Sequence, residues 1–139
     1  MIPSILGGVT KALSEEFGEE YEIYIEPIDQ DLKEPCFFVS CADSSMNRFR
    51  GDVYRADYRI MVLYFPATSE IHEECAGVAD RLWLALEIID TDQGRRLGSN
   101  MQAEVRDGVL NFSLNYSQFL RKTETGVNME HLESSYRGE

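Results

Sequence analysis

The sequence predicts an α+β fold, with a mainly antiparallel sheet of about five strands and two helices packed on one face. Apolar residues recur at helical spacing in two segments, they alternate with polar residues in several others, and turn signals separate these segments. With 139 residues, 43% of them hydrophobic, the chain can bury a core without metal or disulfides. We predict one domain at residues 1–122 and a flexible C-terminal tail at residues 123–139, where the periodicity ends.

The first elements are a helix and two short strands. A helix is predicted from one apolar stripe, with Ser4 as its candidate cap and Gly18 as its stop: Ile5, Val9, Ala12 or Leu13, and Phe17. Residues 21–26 alternate with period two and end at a proline, and residues 35–41 form a short apolar run opened by a proline. Both segments are predicted strands.

A long strand and a second helix follow. Residues 53–65 alternate between an aromatic and aliphatic face and a face carrying Arg55, Asp57 and Arg59, and Pro66 ends this strand. A helix is predicted over residues 69–89, with Ser69 as its cap and the following apolar stripe: Ile71, Cys75, Val78, Leu82, Leu86 and Ile89.

The last elements are a polar link with two glycines and a hairpin over residues 101–120, whose turn is Asp107-Gly108, a strong type I′ signal. Its second strand has an apolar face that we assign to the core: Leu110, Phe112, Leu114, Tyr116 and Leu120. The opposite face holds four short uncharged polar residues: Asn111, Ser113, Asn115 and Ser117. Because charges in a close contact are costly to desolvate, we hypothesise a subunit interface there. The alternative is an ordinary solvent-exposed strand.

The segment from Asp43 to Asp52 is predicted to be a loop with a second candidate interface. Arg48 and Arg50 flank Phe49 there, and arginine and aromatic residues are enriched at protein interfaces. The alternative is a flexible hairpin tip whose phenylalanine folds back onto the core.

Charge and cysteine content exclude several classes of function. The net charge of −12 argues against nucleic-acid binding, which depends on lysine and arginine. The three cysteines and two histidines lack the spacing of metal ligands, and Cys75 lies on an apolar stripe, so no catalytic, metal or cofactor residues are predicted. The chain lacks a leader pattern and a run of 18 apolar residues, so we expect a soluble cytoplasmic product that does not enter membranes.

Several segments together resemble a known family. The motifs "EPCFFV", "YRADYRIMVLYFP", "ECAGVADRLWLALE" and "NMQAEVRDGVLNFSLNYSQFL" are similar to those of small tail terminator or tail completion proteins, from phages and phage-like particles of Gram-positive bacteria. The resemblance runs from about residue 5 to about residue 120. It implies a virion protein without catalysis or cofactors that forms a ring, usually a hexamer. Such a ring caps the tube built from the tail tube protein and joins this tube to the head-tail connector or neck.

Two other classes remain open at this point. A tail tube or head-completion subunit of the same virion would share the acidic charge and would polymerise alone or occupy the neck. A small-molecule-binding or enzymatic α+β domain is the more distant alternative, and a deep pocket with convergent polar groups would identify it.

Overall fold

The computed structural model describes residues 2–18, 20–25, 34–123 and 126–128. Within these ranges lie two helices and seven strands, in this order: α1 (Ile2–Phe17), β1 (Glu22–Tyr24), β2 (Cys36–Arg50), β3 (Val53–Phe65), α2 (Ile71–Ala85), β4 (Ile88–Thr91), β5 (Gly94–Arg106), β6 (Val109–Thr123) and β7 (Gly126–Asn128). The predicted α+β class is confirmed.

The strands form one curled sheet in the order β1-β2-β3-β6-β5-β4, and β7 pairs with the end of β6. β1 runs parallel to β2, and the other pairs are antiparallel. The expectation of a mainly antiparallel sheet of about five strands is therefore only partly right, because the sheet is mixed and the described residues form seven strands. The missed strands, β4 and β7, have four and three residues, too few for a periodicity to show.

Some predicted boundaries are confirmed and others are wrong. The strand at residues 53–65 and the Asp107-Gly108 turn occur as predicted, with both turn residues at positive φ (+53° and +77°). The second helix ends at Ala85, and Ile89 lies in β4, because Leu86 turns inward as the C-cap and the chain re-enters the sheet. The predicted polar link with its glycines belongs to β5. The structure describes residues 123 and 126–128 of the predicted tail, and residues 124–125 and 129–139 lie outside the described residues.

The core lies between the sheet and the two helices. The face of the sheet that the helices cover is called the inner face here, and the opposite face the outer face. Phe17 of α1 packs on Phe37 of β2 with ring centroids 4.8 Å apart, and Trp83 of α2 packs edge-on against Phe112 of β6 at 5.1 Å. The five β6 residues assigned to the core from sequence are all buried: Leu110, Phe112, Leu114, Tyr116 and Leu120.

Two features position the first helix. Gly8 lets α1 approach β4 closely, since a Cβ atom at this position would lie 3.0 Å from the Asp90 carbonyl oxygen. Ser4 is not the cap that the sequence suggested, because the helix already begins at Ile2; its hydroxyl donates to Asp92 instead. Gly18 ends the helix at a φ of +82°, as predicted.

Candidate assembly surface

The predicted loop at residues 43–52 is instead the far part of a long hairpin. β2 continues as a strand to Arg50 and pairs with β3 up to Val53, so that Gly51 and Asp52 alone form the turn. We call residues 43–56 the arm. The β2 part of the arm is polar and does not alternate, so the sequence pattern does not predict a strand there. It forms a strand because its backbone pairs with the backbone of β3.

The tip of the arm presents the predicted Arg-Phe-Arg group. Phe49 is 58% exposed and its ring lies edge-on to Phe119, with centroids 4.9 Å apart. The Arg50 guanidinium lies 5.8 Å from the centre of the Phe49 ring, and Arg48 donates to the Tyr54 hydroxyl at 3.3 Å. The flexible-tip alternative requires Phe49 to fold back onto the core. Phe49 is instead more than half exposed.

The four short polar residues of β6 share the outer face, and the register with β3 shows what lies beside them. Leu63 pairs with Asn111, Met61 with Ser113, Arg59 with Asn115, and Asp57 with Ser117. The description of this face as uncharged holds for β6 alone and is wrong for the sheet, since β3 contributes its charged side chains to the same face.

Arg59 is the centre of a hydrogen-bond network on the outer face. Its guanidinium donates to the Ser113 hydroxyl at 2.7 Å and to the Asn115 amide oxygen at 3.0 Å. It also donates to the Gln102 side chain and to the Asn100 carbonyl oxygen, both at 3.2 Å. Asn100 has a φ of +54° and sits in a register shift of β5, so that Arg59 ties an irregular part of β5 to β6 and β3. Short uncharged acceptors on β6 fit this cation, which is an intramolecular reason for two of the four residues.

The other two polar residues of β6 have different roles. The Ser117 hydroxyl donates to Asp57, and Ser117 also accepts from Arg55 at 3.3 Å, while Arg55 and Asp57 form an ion pair at 3.1 Å. The Asn111 amide donates at 3.1 Å to the carbonyl oxygen of Val109, in its own strand. Asn111 is therefore the cleanest probe of this face, because a change there leaves the charged network in place.

The two predicted interface groups lie on one continuous surface. Ser117 and Phe119 both point to the outer face, and Phe119 contacts Phe49 at the arm tip. We call this surface the outer band: Asn111, Ser113, Asn115, Ser117, Phe119 and Phe49. The sequence indicated both groups, but only strand pairing brings them together.

A groove with an acidic rim lies at the start of α2. It has a volume of about 540 Å³ and is lined by Tyr21, Pro35, Tyr64, residues 67–69, Glu70, Glu73 and Glu74. We call it the acidic groove. Glu70 and Glu73 are exposed on its rim and form no ion pair within the described part of the chain.

Glu74 shapes this groove and was missed from sequence. The predicted cap, Ser69, plays no such role: Glu70 is the N-cap, without a side-chain cap bond. Glu74 instead accepts backbone N–H bonds from Ala67 and Thr68 at 2.9 Å, together with the hydroxyls of Thr68 and Tyr64. Burial opposes its ionisation, but these hydrogen bonds outweigh it and lower the pKa of Glu74 to about 2. The available signal is an acidic residue in the first turn of a helix, eight positions after the proline that ends the preceding strand.

The described residues give no sign of a metal site. No three of their histidine, cysteine and acidic residues lie close enough together to hold a metal ion. Cys36 and Cys75 are buried; burial, with the nearby charges of Glu34 and Glu22, raises the pKa of the Cys36 thiol to about 11. His72 is exposed on α2, and His131 lies outside the described residues. No helix in the described ranges is long and apolar enough to cross a membrane.

A comparison with protein families places this chain beside known proteins. A family model described as phage tail terminator protein matches residues 4–128, which extends from the first turn of α1 to the end of β7. None of the curated proteins matches the chain.

Proposed function

This chain belongs to the phage tail terminator protein family, and on that premise we propose that it caps the completed tail tube as a ring and joins the tube to the head connector. A structural role of this kind requires surfaces that fit other subunits rather than reacting groups. The Gram-positive host and the hexameric ring that the sequence resemblance implies are part of the proposal.

The observation that carries the proposal is the outer band together with the arm. The arm reaches beyond the core and displays Phe49 between two arginines, a combination enriched at the energetic centres of interfaces. A single exposed apolar side chain is common on protein surfaces. Phe49, however, is not isolated, because it forms one end of the outer band, which follows β6. We propose that the predicted interface residues, Arg48–Arg50 and the four polar residues of β6, contact other subunits or the tube.

The charge of the chain suits a ring through which DNA passes. The net charge of −12 would line much of such a ring with carboxylates, so phosphates would be repelled from its walls. Affinity for duplex DNA would need many lysine or arginine contacts, so we propose no specific nucleic-acid binding.

The test is tube capping with purified components. Tail tube protein is polymerised with and without this chain, and electron microscopy measures tube length and looks for rings at tube ends. We expect shorter tubes of narrow length distribution with a ring at one end. Unlimited tube growth with bare ends would refute the proposal, and tubes grown from this chain alone would identify a tube subunit instead.

A matched pair of variants connects this assay to the surface. Phe49→Ala and Leu84→Ala each remove one exposed apolar side chain, and Leu84, at 80% exposure on α2, lies outside the outer band. Leu84→Ala should melt like the wild type, because exposed substitutions change stability by less than about 0.5 kcal/mol. Phe49→Ala should lose no more than about 1.5 kcal/mol, the contribution of its ring contact with Phe119, and should remain folded. We expect Phe49→Ala alone to reduce capping; equal capping by the two would remove the arm from the interface.

A further inference from the structure

The arm tip carries positive charge that forms no ion pair with the acidic residues in the described part of the chain. Arg48 interacts with the Tyr54 hydroxyl and ring, and Arg50 with the Phe49 ring. Neither arginine forms an ion pair with a residue in the described ranges. The nearby acid, Asp52, lies 3.5 Å from Arg121. Two unpaired cations at an exposed tip therefore mark a surface that fits an acidic partner.

The charge of the arm excludes a symmetric arm-to-arm contact. Two arms meeting face to face would bring four unpaired arginine charges together, and like charges across an interface cost several kcal/mol. A contact between copies must therefore join the arm to a different, acidic surface. Such a head-to-tail contact closes into a ring if the rotation between copies fits, and otherwise forms a filament.

The acidic groove is the surface with the complementary character. Glu70 and Glu73 on its rim are exposed carboxylates, and Tyr21 and Pro35 in its lining offer apolar contact area. Its volume of about 540 Å³ lies in the range that holds a drug-sized ligand, so an arginine and a phenylalanine side chain have room there. Glu74 is not available for an incoming arginine, because its oxygens already accept four hydrogen bonds from the groove wall.

The length of β3 makes this contact intermolecular. The arm tip lies at Val53, where β3 begins, and the groove lies beside Tyr64, near where β3 ends. A strand rises by about 3.3 Å per residue, so roughly 35 to 40 Å separate the two. The arm of one copy cannot reach its own groove, whereas it can reach the groove of a neighbour.

We propose that the arm tip, Arg48–Arg50, docks in the acidic groove of a second copy of this chain, with the arginines opposite Glu70 and Glu73 and Phe49 against the apolar lining. This inference rests on the proposed ring and names its subunit contact. It assigns the groove, which has no role in the capping proposal itself, to the same assembly.

Charge reversal tests the contact. Three full-length variants are compared: Arg48→Glu with Arg50→Glu, Glu70→Lys with Glu73→Lys, and all four changes together. We expect the two double variants to weaken self-association at least about 100-fold, and the quadruple variant to recover it to within about tenfold, because the reversed charges match again. Sedimentation velocity measures association, and thermal melts confirm the fold. Failure of the quadruple variant to recover association, although it folds, would overturn the proposal.

The control changes charge by the same amount elsewhere. Glu15→Lys with Asp80→Lys alters two exposed helix residues outside the groove lining and should leave association within about threefold of the wild type. If this control weakens association as much as the groove variant does, only net charge matters and the docking proposal is wrong.

A cross-linking experiment covers the case in which copies associate only on a tube. Arg48→Lys with Arg50→Lys introduces amines that a carbodiimide joins to a carboxylate in direct contact. In a mixture of nitrogen-15-labelled and unlabelled chains, free and bound to tubes, we expect linked peptides of mixed label between the arm and Glu70 or Glu73. Their absence in both samples would overturn the proposal. A protein that caps tubes without these links keeps its function and loses this contact, whereas links without capping would refute the function alone.

Discussion

Replacing Arg59 with methionine tests the network on the outer face. Arg59 donates four hydrogen bonds, but the acceptors differ in burial: Ser113 is only 8% exposed and Asn115 is partly buried, whereas the bonds to Gln102 and Asn100 are exposed. A hydrogen bond to a charged group contributes about 1.5 to 3 kcal/mol, and exposed ones contribute less. Since methionine keeps part of the packing of the side-chain stem, we expect Arg59→Met to lower the free energy of unfolding by about 2 to 4 kcal/mol.

The matched control is Arg106→Met. Arg106 also lies on the sheet and pairs with Glu104 at 3.0 Å, but both side chains are more than 60% exposed. Such a surface pair contributes about 0 to 1 kcal/mol. Urea unfolding followed by the fluorescence of Trp83, which packs against Phe112 in the core, measures both variants. If the two variants lose equal stability within about 0.5 kcal/mol, the network does not hold the sheet together and the reasoning fails.

The same network separates fold from assembly on the outer face. Ser113→Lys would place an ammonium beside the Arg59 guanidinium in a nearly buried position, so we expect it to destabilise the fold by about 1 to 3 kcal/mol. Asn111→Lys should leave the melting curve unchanged, because the Asn111 side chain donates to Val109 of its own strand and takes no part in the Arg59 network. A loss of tube capping by Asn111→Lys with an unchanged melt would place the outer band at an interface, and normal capping would assign this part of the face to solvent.

The remaining predictions concern the groove and two glycines. The Glu74 pKa of about 2 lies below the ordinary 4.5, so its stabilisation is present above pH 4.5 and is lost as pH falls towards 2; melting temperatures over this range should fall less steeply for Glu74→Gln. Equal slopes would contradict this. Gly98→Ala should cost about 1 to 3 kcal/mol in urea unfolding, because its Cβ would lie 2.7 Å from a Leu114 methyl carbon and 2.9 Å from the Leu86 carbonyl oxygen. Gly77 lies in α2, and a Cβ atom added there would have no described atom within 4 Å. We expect Gly77→Ala to raise the free energy of unfolding by about 0.5 to 1 kcal/mol, and a decrease would show that this helix position is not open.

The sequence predicted the parts of the fold that depend on regular periodicity. β3 and the apolar face of β6 were found because each alternates over many residues against a buried face. The β2 part of the arm does not show as a strand in the sequence, because residues 43–50 are exposed on both faces and nothing forces alternation. The helix predicted over residues 69–89 extends wrongly into β4, because Ile89 fits the apolar stripe of a helix as well as it fits a buried strand position.

The candidate surface was predicted only residue by residue. Arg48–Arg50 and the polar residues of β6 were identified as unusual within their own segments. Their connection through Phe49 and Phe119, and the Arg59 network beneath them, depend on which strands are neighbours. A single sequence does not specify that pairing, because Arg59 and Ser113 lie 54 residues apart. Glu74 escaped for the same reason, since its partners are backbone groups of a connection without a regular pattern.

The close approach of α1 to β4 also affects how the chain folds during synthesis. Ser4 and Asp92, whose side chains form a hydrogen bond, are 88 residues apart in the sequence. The Arg81 guanidinium lies 4.2 Å from the centre of the Phe17 ring, although Arg81 follows Phe17 by 64 residues. At about 5 to 20 residues per second, a ribosome needs roughly 4 to 18 s to make the interval between Ser4 and Asp92. During that time the apolar stripe of α1 lacks its partners from α2 and β4, so the nascent chain exposes it to chaperones and to other chains. α1 therefore reaches its final place only after α2 and β4 have been made, although it precedes both in the chain.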